Sequence, residues 1–346
     1  MLVTTPRPEG QTERAGSGIM GGFHANAGSL PFMRMGSRVR YRAVSRLRGL
    51  VCLGFALLLL GAWAPAAHTS GGIEREPLQL ASVHAAAVYL DTGERLVGKR
   101  ADMPAPIASL TKLMTALVVV ESGAPLDEWL TIVPRQHAVT KNAYSRMRVD
   151  SRLPRGELVR LALMSSENLA TYVLAHHHPG GRAAFIAAMN AKAKELGMTQ
   201  TRFVDSSGLS VENVASANDL LKLLAAANEH EVIRDYSTTR YHTAHFRGPR
   251  YTKGYANTNP LVAHSRWQVG LSKTGYLVEA GRCLAMVAEM EGRPVALVFL
   301  NSHGTRSPLG DAGRFRRWLA DGVGGTVAAS AREYEQQVGA RLESDG

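Results

Sequence analysis

Cysteine and aromatic residues are scarce in this 346-residue sequence, which has two cysteines and 6% Phe, Trp and Tyr. Cys52 lies in an N-terminal apolar segment that we expect to be removed, so Cys283 would be left without a partner for an internal disulfide. We expect Cys283 to be a small buried residue of a strand rather than a nucleophile. With so few aromatic residues and no stripe of Lys and Arg beyond residue 50, the sequence does not favour a nucleic-acid-binding surface.

Acidic residues are also outnumbered, since 29 Asp and Glu stand against 40 Lys and Arg and give a formal net charge of +11. Residues 1–50 hold much of this excess, with eight arginines, no lysine and two glutamates. The rest of the chain is mildly basic, which suits an anionic partner such as a cell wall or a membrane surface. Because aromatic residues are few and no stripe of Lys and Arg follows residue 50, we expect no nucleic-acid partner.

A long apolar run at residues 50–67 follows a basic segment at residues 38–49 and contains Ala64-Pro65-Ala66. A basic region, an apolar region and small residues at a cleavage site are, in this order, typical of a secretory signal peptide. We expect residues 1–67 to be a basic extension plus signal peptide, and residues 68–80 to be a linker. The alternative is an uncleaved N-terminal anchor with loose membrane association, although 18 residues are few for a span.

Strand patterns lie at both ends of the remaining chain. Residues 81–100 predict two strands joined by a turn at Asp91-Thr92-Gly93, and short apolar runs predict strands at 270–277, 281–290 and 293–300. Helical periodicity lies between them and again near the end. The predicted helices cover residues 155–164, 168–178, 182–198, 216–230 and 311–322.

This order of elements predicts an α+β domain over residues 81–322. Tight turns between the strands imply an antiparallel sheet flanked by helices, with an all-helical subdomain inserted at about 120–245. A functional site is expected in the cleft between the sheet and this insert. Residues 323–346 are small and polar, and we expect a flexible tail.

A very apolar helix is predicted at residues 105–122, yet its first turn contains Ser109 and Lys112. Residues three apart lie on one face of a helix. A lysine buried beside the serine would have a lowered pKa and could remove the serine's proton. The alternative is an N-cap serine near a solvated lysine. Ser109 is the only serine that stands three residues before any of the eight lysines.

Two further motifs follow in the chain. Ser166-Glu167-Asn168 stands between two predicted helices, where Ser166 could simply be a helix cap. Lys273-Thr274-Gly275 stands in a predicted strand, where the glycine would leave room for a ligand backbone or merely belong to a turn. The ordered set S-x-x-K, S-x-N and K-T-G favours the functional interpretation of all three.

With these motifs, the sequence resembles the active-site serine penicillin-recognising enzymes, and among them the low-molecular-mass D-alanyl-D-alanine peptidases. The resemblance covers about residues 80–320 and implies a β-lactamase/transpeptidase-like fold. The amino-acid sequence around the second and third motifs is most similar to that of the D-alanyl-D-alanine endopeptidase branch, which cleaves D-alanyl–diaminopimelyl cross-links. It implies a periplasmic hydrolase that acts on peptidoglycan stem peptides, needs no cofactor and is acylated by β-lactams.

The resemblance also implies a catalytic role for three residues. Ser109 would attack the D-alanyl carbonyl and form an acyl-enzyme. Lys112 would be the base for that attack, although the identity of the base is disputed in this superfamily. Ser166 would relay a proton to the leaving amine.

The other implied residues bind substrate. Asn168 would hydrogen-bond the substrate backbone and steady Lys112. Lys273 and Thr274 would receive a carboxylate, and Gly275 would leave room. The backbone N–H groups of Ser109 and Tyr276 would form the oxyanion hole.

Several alternatives remain open at this stage. The same motifs suit a D-alanyl-D-alanine carboxypeptidase, but only 71 residues follow Gly275, so we expect no further β-rich domain or C-terminal anchor. A serine β-lactamase is less favoured because no deacylating glutamate loop is evident after Asn168. A non-catalytic wall-binding protein would not need all three motifs. The consecutive histidines 176–178 point in different directions on a helix, so we expect no metal site.

Overall fold

The computed structural model describes residues 75–136 and 144–344. The strands in this part of the chain are β1 Ser82–Tyr89, β2 Arg95–Lys99, β3 Ala105–Pro106, β4 Trp129–Thr131, β5 Arg152–Pro154, β6 Val214–Ala215, β7 Tyr241–Phe246, β8 Tyr251–Ala256, β9 Val269–Leu277, β10 Gly281–Met290 and β11 Arg293–Ser302. The α-helices are α1 Thr111–Glu121, α2 Arg155–Met164, α3 Asn168–His176, α4 Gly181–Glu195, α5 Ala217–Asn228, α6 Glu231–Thr238, α7 Ser307–Asp321 and α8 Ala329–Ser344.

The N-terminal hairpin and the three C-terminal strands form one antiparallel sheet in the order β2-β1-β11-β10-β9. Strand β1 pairs with β11, with Ala85 opposite Phe299. The prediction that the two ends of the domain complete a single sheet is therefore confirmed. Strand β9 lies at the sheet edge, so one side of its backbone is open to an added strand.

Both faces of the sheet are covered, which explains why its strands are continuous apolar runs. On one face, Leu297 and Phe299 belong to a core that includes Phe315 of α7. On the other, Val298 and Leu300 belong to the larger core, which includes the apolar residues of α1 and α5. Because successive strand residues point to opposite faces, each of these runs contributes to two cores.

The region expected to be a helical insert, residues 120–245, contains α2 to α6 but also short strands. Strand β4 pairs with β5, β6 pairs with β3, and β7 forms a hairpin with β8. Helix α5 contacts β1 and β11, so it covers the sheet. Strand pairs of two or three residues are too short to show a periodic pattern in the sequence.

The expectation of a flexible tail at residues 323–346 was wrong, because this segment includes the 16-residue helix α8. Glu335 of α8 forms an ion pair with Arg100 at 2.6 Å, and the Tyr334 hydroxyl donates to Asn301 Oδ1 at 2.7 Å. Polar contacts of this kind to distant residues leave no apolar periodicity, so the pattern of the sequence does not reveal them.

The described part of the expected linker, residues 75–80, packs against α7. Trp318 Nε1 donates to the backbone oxygen of Glu76 at 2.8 Å, and Leu80 is buried. The signal peptide and basic extension predicted at 1–67 lie outside the described residues. Among the helices of the described segments, none combines the length and apolar character needed to cross a bilayer.

Candidate active site

Ser109 lies in a 3-10 turn, Ala108–Leu110, directly before α1. The turn is fixed from two sides. Thr111 Oγ1 donates to the Ala108 backbone oxygen at 2.8 Å, and Gly208 approaches that oxygen so closely that a Cβ there would lie 1.9 Å away. Ser109 is half-buried at this point, whereas the apolar body of α1 lies in the core. The helix therefore anchors the turn and leaves the serine at the surface of a cleft.

Lys112 is completely buried, and its ammonium reaches three oxygen acceptors. Nζ donates to Ser109 Oγ at 2.9 Å, to Asn168 Oδ1 at 2.8 Å and to the Ser207 backbone oxygen at 2.5 Å. Burial lowers the pKa of Lys112 from 10.5 to about 7, although the negative charges of Asp205 and Glu167 oppose this shift. Near neutral pH, a large fraction of Lys112 is therefore the free amine, which can accept a proton.

The backbone oxygen that holds Lys112 belongs to a loop, residues 205–210, that the sequence motifs did not include. Asp205 begins this loop and accepts hydrogen bonds from the N–H groups of Ser207, Gly208 and Ser210 at 2.6–2.7 Å. Gly208 has a φ of +79°, which suits glycine. An aspartate followed by serines and a glycine is a recognisable turn composition, so this signal could have been used.

Ser166 and Asn168 lie where α2 ends and α3 begins. The cap of α3 is Glu167, whose Oε1 accepts from the Leu169 N–H at 3.1 Å. Ser166 has a φ of +60°, an uncommon conformation for serine, and it lines the cleft with Asn168. The capping interpretation of Ser166 was therefore wrong, and the strained conformation presents its side chain to the cleft.

Residues 273–276 of β9 form the opposite side of the cleft. Lys273 is buried, and its Nζ donates to the Thr274 backbone oxygen at 2.8 Å. Burial, together with the positive charge of Lys112, lowers the pKa of Lys273 well below its usual range. An anion bound in the cleft would favour its charged form. Thr274 lines the cleft, and its hydroxyl donates to Thr258 Oγ1 at 2.7 Å.

Gly275 leaves room for the serine-bearing turn. A Cβ at this position would lie 3.0 Å from the Ile107 backbone oxygen and 3.2 Å from the Ser109 backbone nitrogen. The structure thus shows that the protein's own turn crowds this position, and room for a ligand backbone at Gly275 stays a prediction. Close approach of β9 to this turn brings the Ser109 and Tyr276 backbones to one cleft.

The cleft has a volume of about 840 Å³. Its lining includes Ser109, Ser166, Asn168, Thr274, Gly275 and Tyr276. Lys112 and Lys273 lie behind this lining. Two arginines that no motif indicated, Arg282 and Arg306, also line the cleft, and the Arg282 guanidinium lies 3.8 Å from the centre of the Tyr276 ring. They add positive charge to the lining of the cleft.

Cys283 and the consecutive histidines 176–178, for which the sequence predicts no catalytic or metal-binding role, are in structural environments. Cys283 is buried in strand β10, as predicted, and burial raises the pKa of its thiol to about 12. His177 Nε2 contacts the Thr131 backbone oxygen at 3.0 Å, whereas the His178 ring packs edge-on against Phe185. Within residues 75–136 and 144–344, no group of three His, Cys, Asp or Glu side chains is placed to hold a metal ion.

Comparisons with known proteins show the family of the chain. The profile of the D-alanyl-D-alanine carboxypeptidase family matches residues 72–304. The D-alanyl-D-alanine endopeptidase of Escherichia coli is 44% identical over 293 residues, covering 84% of this chain and 94% of that protein. The D-alanyl-D-alanine endopeptidase of Pseudomonas aeruginosa is 43% identical over 295 residues, covering 85% and 94%.

A solved structure with the same fold is penicillin-binding protein D2 from Listeria monocytogenes in its ampicillin-bound form. It is 29% identical, the match covers 72% of this chain and 99% of that one, and the TM-score is 0.61. The family profile extends over the three motifs and the sheet that holds the third motif. The chain therefore belongs to the D-alanyl-D-alanine carboxypeptidase family of serine peptidases.

Proposed function

We propose that this protein hydrolyses D-alanyl peptide bonds of peptidoglycan through an acyl-enzyme on Ser109, acting as an endopeptidase on D-alanyl–diaminopimelate cross-links. One observation carries this proposal: a buried lysine with a pKa near 7 lies 2.9 Å from the hydroxyl of a serine in an open cleft. This pairing supplies a nucleophile and its base in one turn of chain.

In the acylation step, the Ser109 oxygen attacks the carbonyl carbon of the D-alanine while the free amine of Lys112 accepts the hydroxyl proton. The carbonyl oxygen becomes an oxyanion, for which the N–H groups of Ser109 and Tyr276 are the proposed donors. The hydrogen bonds from Lys112 to Asn168 and Ser207 fix the amine, so little reorganisation precedes proton transfer.

Collapse of this intermediate breaks the bond to the leaving amine, which must gain a proton. Ser166 lines the cleft beside Asn168 and is the proposed relay for that proton. The leaving diaminopimelate carries a carboxylate beside its amine, and Thr274 with Lys273 is the proposed site for it. Binding of that carboxylate would stabilise the ammonium form of Lys273.

Water then attacks the acyl-enzyme, with Lys112 again as the base, and releases the shortened stem peptide. A β-lactam enters the same route, because Ser109 opens its ring as it would cleave a peptide bond. The opened leaving group stays attached and obstructs the water, so the adduct persists.

Cleavage of cross-links is favoured over removal of terminal D-alanine by two observations. The cleft has a volume of about 840 Å³ and its lining includes Arg282 and Arg306 beyond the motif residues, and we infer that this part of the lining receives the second stem peptide. The relatives with 44% and 43% identity are named endopeptidases. Carboxypeptidase activity is the alternative, and digestion of cross-linked dimers and of pentapeptides distinguishes it from endopeptidase activity.

The cellular site is part of the proposal. The basic segment at 38–49 and the apolar segment at 50–67 support export to the periplasm. An uncleaved N-terminus would give loose membrane association in the same compartment. Fractionation of cells, with N-terminal sequencing of the mature protein, tests both ideas: a mature chain that retains residues 50–67 contradicts cleavage.

Digestion of purified muropeptides tests the activity itself. Cross-linked dimers and uncrosslinked pentapeptides are incubated separately with the protein and with Ser109→Ala as the inactive control. The proposal predicts loss of the dimer with appearance of monomers, and little loss of terminal D-alanine. Preferential shortening of the pentapeptide would make the protein a carboxypeptidase, and sustained hydrolysis of a penicillin would make it a β-lactamase.

A further inference from the structure

A basic surface lies outside the catalytic cleft, on the β7–β8 hairpin and on the segment 144–152 that packs against it. The Tyr251 hydroxyl joins the two parts, because it accepts a hydrogen bond from the Arg148 N–H at 2.9 Å and lies 3.0 Å from Ser151 Oγ. We call this region the basic hairpin surface, and its cations are Arg146, Arg148, Arg152, Arg247, Arg250 and Lys253. None of the six lines the cleft, and the mechanism above assigns them no task.

Negative charge is nearly absent from this surface. Residues 144–152 and 241–256 contain the six cations and a single acidic residue, Asp150. Glu157 of α2 reaches the hairpin, where it pairs with His242. Within the described segments, no Asp or Glu forms an ion pair with any of the six cations. Ion pairs in this part of the chain therefore do not offset the repulsion among these cations.

Aromatic rings hold three of the arginines in place. Their guanidinium groups lie 3.8–4.8 Å from the centres of the rings. The pairs are Arg146 with Tyr255, Arg148 with Tyr251 and Arg247 with Trp129. All three arginines are also exposed. Because a ring attracts a cation without neutralising it, each arginine is ordered and keeps its full charge at the surface.

The basic hairpin surface extends away from the cleft. Strand β8 ends at Ala256, two residues before Thr258, which lines the cleft. At the other end of the hairpin, Arg247 and Arg250 flank its turn. Six strand residues, at about 3.3 Å each, place the two ends about 20 Å apart along the hairpin. A ligand at the turn is therefore distinct from the peptide bond held at Ser109.

The chemistry of the surface suits a partner with many carboxylates. Five of the six cations are arginines, whose planar guanidinium binds a carboxylate in two-pronged hydrogen bonds. Peptidoglycan presents stem carboxylates at many places along the polymer that the cleft is proposed to cleave. A bilayer offers phosphates, but stable binding to it also uses apolar side chains that enter the lipid. Phe246 and Tyr255 are buried here, and the exposed large apolar side chains of the two segments are Tyr144, Val149 and Tyr241.

We propose that the basic hairpin surface binds the carboxylates of a neighbouring stem in the peptidoglycan network and so holds the protein on the wall while the cleft acts on a cross-link. This inference rests on the proposed function, because that function supplies the polymer. Contacts between exposed charges are individually weak, but several contacts to one polymer act together through a high effective concentration. The surface is then an attachment site that takes no part in bond cleavage.

Co-sedimentation with purified, insoluble peptidoglycan sacculi measures this attachment. The parent protein is Ser109→Ala, so that the wall is not cut during the measurement. A hairpin variant of this parent carries Arg148→Gln, Arg250→Gln and Lys253→Gln. The matched control variant removes three exposed cations elsewhere in the chain, with Arg95→Gln, Lys194→Gln and Arg341→Gln.

The hairpin variant should bind sacculi about tenfold more weakly than the parent at low salt, as expected for three exposed charge contacts. The control variant should bind like the parent, although its net charge equals that of the hairpin variant. Thermal unfolding checks that both variants fold. Undiminished binding by the hairpin variant, or an equal loss in the two variants, would contradict the inference.

Two changes of ligand identify the partner. Sacculi whose stem carboxylates have been amidated should bind the hairpin and control variants equally. Vesicles of phosphatidylglycerol, with phosphatidylcholine vesicles as the uncharged reference, form the lipid arm of the experiment. The assignment to wall carboxylates would be overturned by a difference between the variants that persists on amidated sacculi. A larger difference on phosphatidylglycerol vesicles than on native sacculi would overturn it as well.

Hydrolysis separates this inference from the proposed function. With Ser109 intact, the hairpin variant should cleave soluble cross-linked dimers at the wild-type rate but digest intact sacculi more slowly. A slower rate on the dimers would contradict an attachment site separate from the cleft. If the wild type cleaves no dimers, the proposed function is wrong, yet weaker sedimentation of the hairpin variant would still support the surface. If dimers are cleaved and both variants sediment alike, the proposed function stands and this inference is wrong.

Discussion

The two sides of the catalytic cleft hold one buried lysine each, and they hold it differently. On the helical side, formed by α1, the α2–α3 junction and the loop 205–210, Lys112 has three oxygen acceptors and a pKa of about 7. On the strand side, which is formed by β9, Lys273 donates to the Thr274 backbone oxygen. The positive charge of Lys112 helps to lower the pKa of Lys273.

This difference shows how one cleft can assign two tasks to the same residue type. Lys112 is fixed by neighbours and poised to exchange a proton without any ligand. Among the described residues, no carboxylate offsets the cost of burying the charge of Lys273. An anion that binds in the cleft would therefore stabilise the charged form of Lys273 more than that of Lys112. We therefore expect the helical side to carry out the chemistry and the strand side to bind the substrate carboxylate.

Ser109→Ala should have the largest effect, because it removes the nucleophile on the helical side. Peptide hydrolysis should fall by roughly 10⁴-fold or more, and covalent labelling by penicillin should disappear. Mass spectrometry of the protein after incubation with penicillin measures the adduct. Thermal unfolding should be nearly unchanged, since Ser109 is half-buried at the cleft surface. A penicillin adduct on this variant would place the nucleophile elsewhere.

Lys112→Ala should come next, with acylation slowed by about 10²–10⁴-fold, the usual contribution of a general base. Stopped-flow acylation by a chromogenic cephalosporin gives the rate constant. Lys112→Arg is the matched control that keeps the charge but cannot act as a base near neutral pH. If the arginine variant acylates at the wild-type rate, the helical side contributes charge and not proton transfer.

Lys273→Met should reduce kcat/KM by about tenfold to a hundredfold, because it removes one charged contact to the substrate carboxylate. The loss should be seen mainly for substrates with that carboxylate, and an esterified analogue should show little change. Steady-state kinetics on the acid and ester pair measures this contrast. An equal loss of kcat/KM on both substrates would contradict the assignment of carboxylate binding to the strand side.

Gly275→Ala should have the smallest effect, since it adds one methyl group where the two sides meet. The Cβ would lie 3.0 Å from the Ile107 oxygen, so β9 and the serine-bearing turn must move apart. We expect a stability loss of about 1–3 kcal/mol, as for other overpacked sites, with slower acylation. Urea denaturation and acylation kinetics measure the two effects. If the variant unfolds at the same urea concentration and is acylated at the same rate as the wild type, the space at Gly275 accommodates a methyl group without strain.

Much of this cleft could be predicted because its residues lie in local patterns. Asp91-Thr92-Gly93 marks the first hairpin, and the spacing of Ser109 and Lys112 requires only a helical turn. The structure brings Ser109, Lys112 and Asn168 together, and Ser166 lines the same cleft. Their catalytic roles remain predictions.

The rest depends on contacts between distant segments, which local patterns do not contain. The Ser207 oxygen reaches Lys112 across 95 residues of sequence, and Gly275 is required by a turn more than 160 residues before it. Likewise, the basic hairpin surface forms only when β7, β8 and the segment 144–152 come together. Helix α8 was missed because most of its contacts are polar and reach residues distant in sequence, such as Tyr334 with Asn301 and Glu335 with Arg100.

The pH dependence of Ser109 acylation tests most directly whether Lys112 is the base. The rate of labelling by a penicillin is measured from about pH 5 to pH 9 for the wild type and for Lys112→Ala. Because the free amine is the active form and its pKa is lowered to about 7, the wild-type rate should rise with pH and level off above about 7. The variant should be slow and lack this rise. A Lys112→Ala protein that labels at the wild-type rate at neutral pH, with the same rise, would contradict the account.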